Sequence, residues 1–186
     1  MDQLVREIGV SQTPIRAALI RLENEGLVVK THNVGYSAAP MPSRSRMEQI
    51  YELRMLLEPH AALLAAKRMT KDRKEELLEI VAGMEKPRAK SAQIAYGKFA
   101  VKDASFHEWI AQCSGNALIA ESLSRLHAHM HLFRLRFHSQ VTEDAIEEHS
   151  KIVQALTQGD GDKAKKAMLQ HLSRSRDRVE PYFLSD

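Results

Sequence analysis

From residue 47 to residue 179 the apolar residues recur every three to four positions, and no stretch shows a clear strand alternation. A chain patterned this way buries its apolar stripes by packing helix on helix. The spacing predicts helices over 47–68, 71–84, 92–113, 117–138, 143–158 and 162–179. Thr70, Ser91 and Thr142 stand at starts, and Gly115, Gly159 and Pro181 stand near ends. Six prolines and eight glycines leave room for long helices. There is no internal repeat.

Residues 39–46, AAPMPSRS, hold two prolines and two serines and read as a linker. The 38 residues before it follow a different pattern. A short helix over 2–8 ends at Gly9. Ser11 is a suitable N-cap, and Thr13-Pro14 suits a first helical turn. Ile15, Leu19 and Leu22 then follow at helical spacing beside Ala18, and Gly26 stops the helix. Leu27-Val28-Val29 and Gly35-Tyr36 flank a polar tip, Thr31-His32-Asn33, as in a small hairpin. Helix, turn, helix and hairpin outline a winged helix-turn-helix. The expected fold is therefore mainly α. A partial winged helix-turn-helix with a small β wing (1–38) is joined by a linker (39–46) to an all-α bundle (47–186).

Composition narrows the function classes. With 186 residues, 44% hydrophobic and 27% charged, the chain is an ordinary globular protein rather than a disordered or collagen-like one. No apolar run approaches the roughly 18 residues of a membrane helix. The first ten residues lack the apolar segment of a secretory signal. Cys113, the single cysteine, makes neither an internal disulfide nor a cysteine-based zinc site, and a reducing cytoplasm is expected. A net charge of +3 is too small to mark a nucleic-acid binder, so any DNA contact must come from a local patch.

Nine histidines are the compositional oddity. On the helix over 92–113, Tyr96, Ala100, Asp103, His107 and Ile110 share one face, with Asp103 and His107 spaced i, i+4. Ala145, His149, Ile152 and Leu156 share the apolar face of the next-to-last helix, and Ala164, Met168, His171 and Ser175 that of the last. One Asp and three His thus point inward from three helices. They are either separately hydrogen-bonded core residues or the ligands of one metal. Imidazole plus carboxylate suits zinc, nickel, iron or manganese, and helix bundles build such sites from facing side chains. Zinc with an open position also suits a metal-dependent hydrolase, but Glu108 and Glu148, which adjoin ligands, point about 100° away from them.

In a helix-turn-helix, the N-terminal residues of the second helix face base edges. Here these are Ser11, Gln12, Thr13 and Arg16. Gln pairs with adenine, Arg with guanine or phosphate, and Ser and Thr with phosphate.

The string VSQTPIRAALIRLENEGLV followed by GY resembles the DNA-binding segment of GntR-family bacterial transcription regulators. The family pattern V-S-R-T-P-V-R-x-A-L-x-x-L-x-x-x-G-L is matched at Val10, Ser11, Thr13, Pro14, Arg16, Ala18, Leu19, Leu22, Gly26 and Leu27, with Gly35 as the wing glycine. Gln12 stands where the family usually has a DNA-contacting Arg. Lys30 and the wing near Gly35 are expected to touch phosphate. Family members carry a further helix before this point, so the first helix of the unit is expected to be missing here, leaving Leu4, Ile8 and Leu19 poorly covered. Farther on, DASFH, SGN, EEHSKIVQAL, GD and AMLQHL resemble the FCD effector domain of the FadR-type branch. That resemblance implies a divalent metal, zinc first and nickel or manganese next, on Asp103, His107, His149 and His171.

Arg54 lies at the edge of a stripe formed by Ile50, Leu57, Ala61 and Leu64. It is either a snorkelling side chain paired with Glu58 or a clamp for an effector carboxylate. Arg134 is a second candidate for that role. His127, His131 and His138 share a flank expected to face solvent or a partner subunit, and Trp109 and Cys113 are expected to pack. Together these features imply a homodimeric regulator of double-stranded operator DNA, governed by a small organic acid at the metal. The rivals are a metal-dependent hydrolase or storage bundle and a truncated ligand-sensing dimer that does not bind DNA.

Overall fold

The computed structural model describes residues 2–24, 26–40, 42–82, 84, 92–136 and 141–183, with the side chains of 2, 3, 92–98, 127–136, 141–143, 182 and 183 outside the description. The order is α1 (Asp2–Ile8), α2 (Gln12–Asn24), β1 (Val28–Thr31), β2 (Gly35–Ala38), α3 (Arg44–Lys67), α4 (Lys71–Ala82), α5 (Ala92–Cys113), α6 (Ala117–Arg136), α7 (Val141–Thr157) and α8 (Gly161–Val179), then a 3-10 turn at Glu180–Phe183.

The N-terminal unit has the expected helix–helix–hairpin order. α2 buries Ile15 and Leu19. Gly26, at φ 73°, closes the helix as Leu27 N donates to Leu22 O across 2.8 Å. β1 and β2 pair antiparallel, with Val28 opposite Ala38 and Thr31 opposite Gly35. Thr31 therefore belongs to the strand, and the tip moves to residues 32–34. Of the three side chains expected to be poorly covered, Leu19 is buried, Leu4 is intermediate and Ile8 is 59% exposed.

The helical part is organised around α3, which packs along α8 and also meets α5, α6 and α7. α3 starts at Arg44, inside the segment read as a linker, because Ser43 Oγ accepts from Arg46 N at 3.2 Å and caps it. Thr70 caps α4 the same way, through Arg73 N. The main core gathers Ala61, Ala62, Ala65, Phe106, Ile110, Leu123, Ile152, Leu156, Met168 and Leu172. A smaller cluster of Met47, Ile50, Tyr51 and Val179 closes the end nearest the N-terminal unit in sequence. No helix among the described residues is long and apolar enough to cross a membrane.

The α7–α8 turn sets the register of the site. Gly159 lies at φ 70°, and Asp160 N donates back to Ala155 O at 3.0 Å. Asp160 Oδ1 then accepts from Lys163 N at 3.0 Å and caps α8. His149 and His171 stand nearly equidistant from this turn, so the antiparallel hairpin sets them opposite each other.

Candidate metal centre and DNA-facing helix

Asp103 and His107 lie one turn apart on α5, His149 on α7 and His171 on α8, and each is no more than 2% exposed. One ligand atom from each of the four falls within 4.8 Å of all the others. Asp103 Oδ1 lies 3.4 Å from His149 Nε2 and 3.9 Å from His107 Nε2. The imidazole centroids are 4.6 Å apart for His149 and His171 and 5.3 Å for His107 and His171. Phe106 packs against the His149 ring with centroids 4.7 Å apart, forming part of an apolar wall.

Two further carboxylates fix two of the rings. His107 Nδ1 lies 2.6 Å from Glu58 Oε2, and His171 Nδ1 lies 2.8 Å from Glu148 Oε2. An ionised carboxylate only accepts, so each Nδ1 carries the proton and donates. That leaves the Nε2 lone pair of each ring available to a cation, the arrangement found where carboxylates orient histidine ligands. His171 Nε2 is buried and has no hydrogen-bond partner among the described residues. Burial holds the His171 pKa below its ordinary value, favouring the neutral ring that a metal requires. A buried, partnerless nitrogen is costly. The donor set, three imidazoles and one carboxylate, fits a divalent transition ion.

Glu148 is held in turn. Arg178 donates to both its oxygens, each at 2.8 Å, and Arg174 Nη1 stands 3.7 Å away. Burial pushes its pKa upward, but the hydrogen bonds from Arg178 and His171 outweigh this and lower it to about 2. The sequence reasoning that turned Glu148 away from the site holds only for its own helix. His171, Arg174 and Arg178 form one stripe on α8, and that stripe faces Glu148. Reading that spacing against an acidic residue on α7 would have found it.

Arg54 departs from expectation. It is neither at an edge nor snorkelling, being 1% exposed at the centre of the buried face of α3. Its Nε donates to Glu58 Oε1 at 2.5 Å, its guanidinium lies 5.3 Å from the Tyr51 ring centroid, and its Nη1 is buried without a hydrogen-bond partner among the described residues. The expected Arg54–Glu58 pairing is present, and it extends to His107 through the other Glu58 oxygen. Glu108 is exposed and accepts from Gln112, away from the cluster. Trp109 and Cys113 are buried, with Trp109 Nε1 donating to Glu76. The side chains of Tyr96, Arg134, His127 and His131, and all of His138, lie outside the described residues.

Ser11, Gln12, Thr13 and Arg16 are exposed at the start of α2, the helix that buries Ile15 and Leu19. Lys30 is exposed on β1, its Nζ 5.9 Å from the ring centroid of its cross-strand partner Tyr36. Gly35 adopts φ 118°, a conformation L side chains rarely take, where β2 begins after the tip.

Residues 1–37 match the model of bacterial regulatory proteins of the gntR family, and residues 49–174 match that of the FCD domain. The chain belongs to the FCD branch of the gntR family. The HTH-type transcriptional regulator LutR of Bacillus subtilis is 28% identical, with the match covering 98% of this chain and 91% of LutR. The Nta operon transcriptional regulator of Aminobacter aminovorans is 26% identical, covering 95% and 81%. Among solved structures, Escherichia coli McbR/YncC superimposes with a TM-score of 0.76 at 18% identity over 98% of this chain and 86% of that one, a likeness of fold. Family and relatives are transcription regulators, not enzymes, as expected, which sets the rival hydrolase reading aside.

Proposed function

We propose that this transcription regulator holds a divalent ion, zinc first and nickel or manganese next, on Asp103, His107, His149 and His171, and that a small organic acid completes the metal shell. The convergence of four buried ligand atoms within 4.8 Å carries this reading. Three neutral imidazoles and one carboxylate leave a divalent ion with residual positive charge in a buried setting, which favours an anion. Bound there, the ion would act as a Lewis-acidic anchor for a carboxylate. Arg54, whose buried Nη1 has no hydrogen-bond partner among the described residues, is the described candidate for a second acid oxygen, and Arg134 is the other.

DNA binding is assigned to Ser11, Gln12, Thr13 and Arg16 on α2, with Lys30 and the Gly35 wing on phosphate. The regulator is read as a homodimer on a palindromic operator in the bacterial cytoplasm, since two-fold symmetry suits paired recognition helices. The proposed division is a DNA-binding unit over 1–38, a linker over 39–46 and an effector domain over 47–186. Glu58 and Arg54 lie on α3, the helix that follows the linker, so an occupied site can bias the helix leading to the DNA-binding unit.

The test is calorimetry with a panel of small mono- and dicarboxylates on metal-loaded and metal-stripped protein, followed by mobility shift with any acid that binds. Binding that requires the metal supports the reading. Equal binding to both forms removes the metal as anchor, and no binding by any acid leaves a purely structural ion.

A further inference from the structure

Glu148 is the junction between the four-ligand cluster and the surface. It is 5% exposed, and its Oε2 accepts from His171 Nδ1. Both its oxygens are also taken by Arg178, a side chain 18% exposed that borders a surface cavity of about 470 Å³. A carboxylate held by one hydrogen bond rotates about its last bond. One gripped at both oxygens by a planar guanidinium does not. The orientation of Oε2 toward Nδ1, and with it the tautomer that leaves Nε2 for a metal, therefore depends on a residue that touches no ligand atom of the cluster. His107 differs: its carboxylate, Glu58, is held by the fully buried Arg54. The two oriented histidines thus have unequal supports, one sealed in the core and one reaching water.

We propose that Arg178 is a positioning residue for the metal centre, acting through Glu148 to fix the His171 ring and set metal affinity. This rests on the metal-centre reading above. Arg178→Ala frees Glu148 to turn. Metal affinity should fall about ten- to hundredfold, the range for losing a partner that orients a ligand. Arg178→Lys keeps the charge but supplies a point donor rather than a fork, and should fall between wild type and Arg178→Ala. Arg174→Ala removes a side chain 49% exposed and 3.7 Å from Glu148, and should stay within about twofold of wild type.

The experiment is competitive zinc titration of the full chain and these three variants, with histidine 15N shifts recorded on the metal-stripped forms. Expected are the graded affinity loss and, in Arg178→Ala, a His171 ring that samples both tautomers. A zinc affinity within twofold of wild type in Arg178→Ala, with a single His171 tautomer, overturns the proposal and leaves the metal centre standing. Wild-type protein that takes no zinc, nickel or manganese overturns the metal-centre reading and this proposal with it. Should Arg178→Ala fail to fold, Arg178→Lys decides: wild-type affinity there, with an unchanged tautomer, counts against the fork.

Discussion

Glu58 Oε2 lies 2.6 Å from His107 Nδ1, joining the helix that follows the linker to the helix that carries half of the candidate metal ligands. Its other oxygen holds Arg54. The three side chains form a buried chain of charge and hydrogen bonds in which none is dispensable alone.

Glu58→Ala should therefore be among the most damaging single substitutions. It strands the buried Arg54 and removes the partner of His107. Breaking a buried ion pair from one side costs about 3–5 kcal/mol. Urea unfolding of the metal-free protein measures the loss. The double variant Arg54→Met, Glu58→Leu should recover most of that stability while still binding metal weakly, because apolar residues replace the pair but the carboxylate at His107 Nδ1 is gone.

Gly161 opens α8 against α3. A Cβ there would stand 3.0 Å from Leu63 O and 3.3 Å from Leu63 Cγ. The backbone oxygen cannot swing aside as a side-chain end can. Gly161→Val should destabilise by about 1–3 kcal/mol, the cost of overpacking. Thermal unfolding checks it, and a midpoint unchanged from wild type would show that α3 and α8 can part without penalty.

Much of this architecture was visible as periodicity. His149 and His171 sit on stripes of Ile152, Leu156, Ala164 and Met168, and all of these are buried as the spacing required. Arg54 was set at the edge of its stripe for a physical reason. Apolar spacing picked out Ile50, Leu57, Ala61 and Leu64, of which Ile50 and Ala61 are buried but Leu57 and Leu64 only half-buried, because the buried face of α3 runs through Arg54 and Glu58. A buried pair is legal because its members satisfy each other, and that satisfaction is invisible until two helices meet. Glu148 was missed likewise: its partners lie 23 and 30 residues away on α8.

Arg16 is exposed on the first turns of α2. If it reads a base, Arg16→Ala should cost about 1–3 kcal/mol of affinity, concentrated on the selected sequence. Lys30→Ala should instead weaken binding across all sequences and lower the salt slope by about one unit. Mobility-shift titrations at several salt concentrations, on a duplex selected from a random pool by the wild-type protein, separate the two. Wild-type affinity in Arg16→Ala would remove that residue from the interface.

The metal centre is tested most directly by elemental analysis of the purified protein beside its His149→Ala, His171→Ala double variant, both re-equilibrated with zinc and desalted. Wild type should retain one divalent ion per chain, and the double variant should retain almost none while keeping its helical content. An unchanged metal content in the double variant would contradict a centre built on Asp103, His107, His149 and His171.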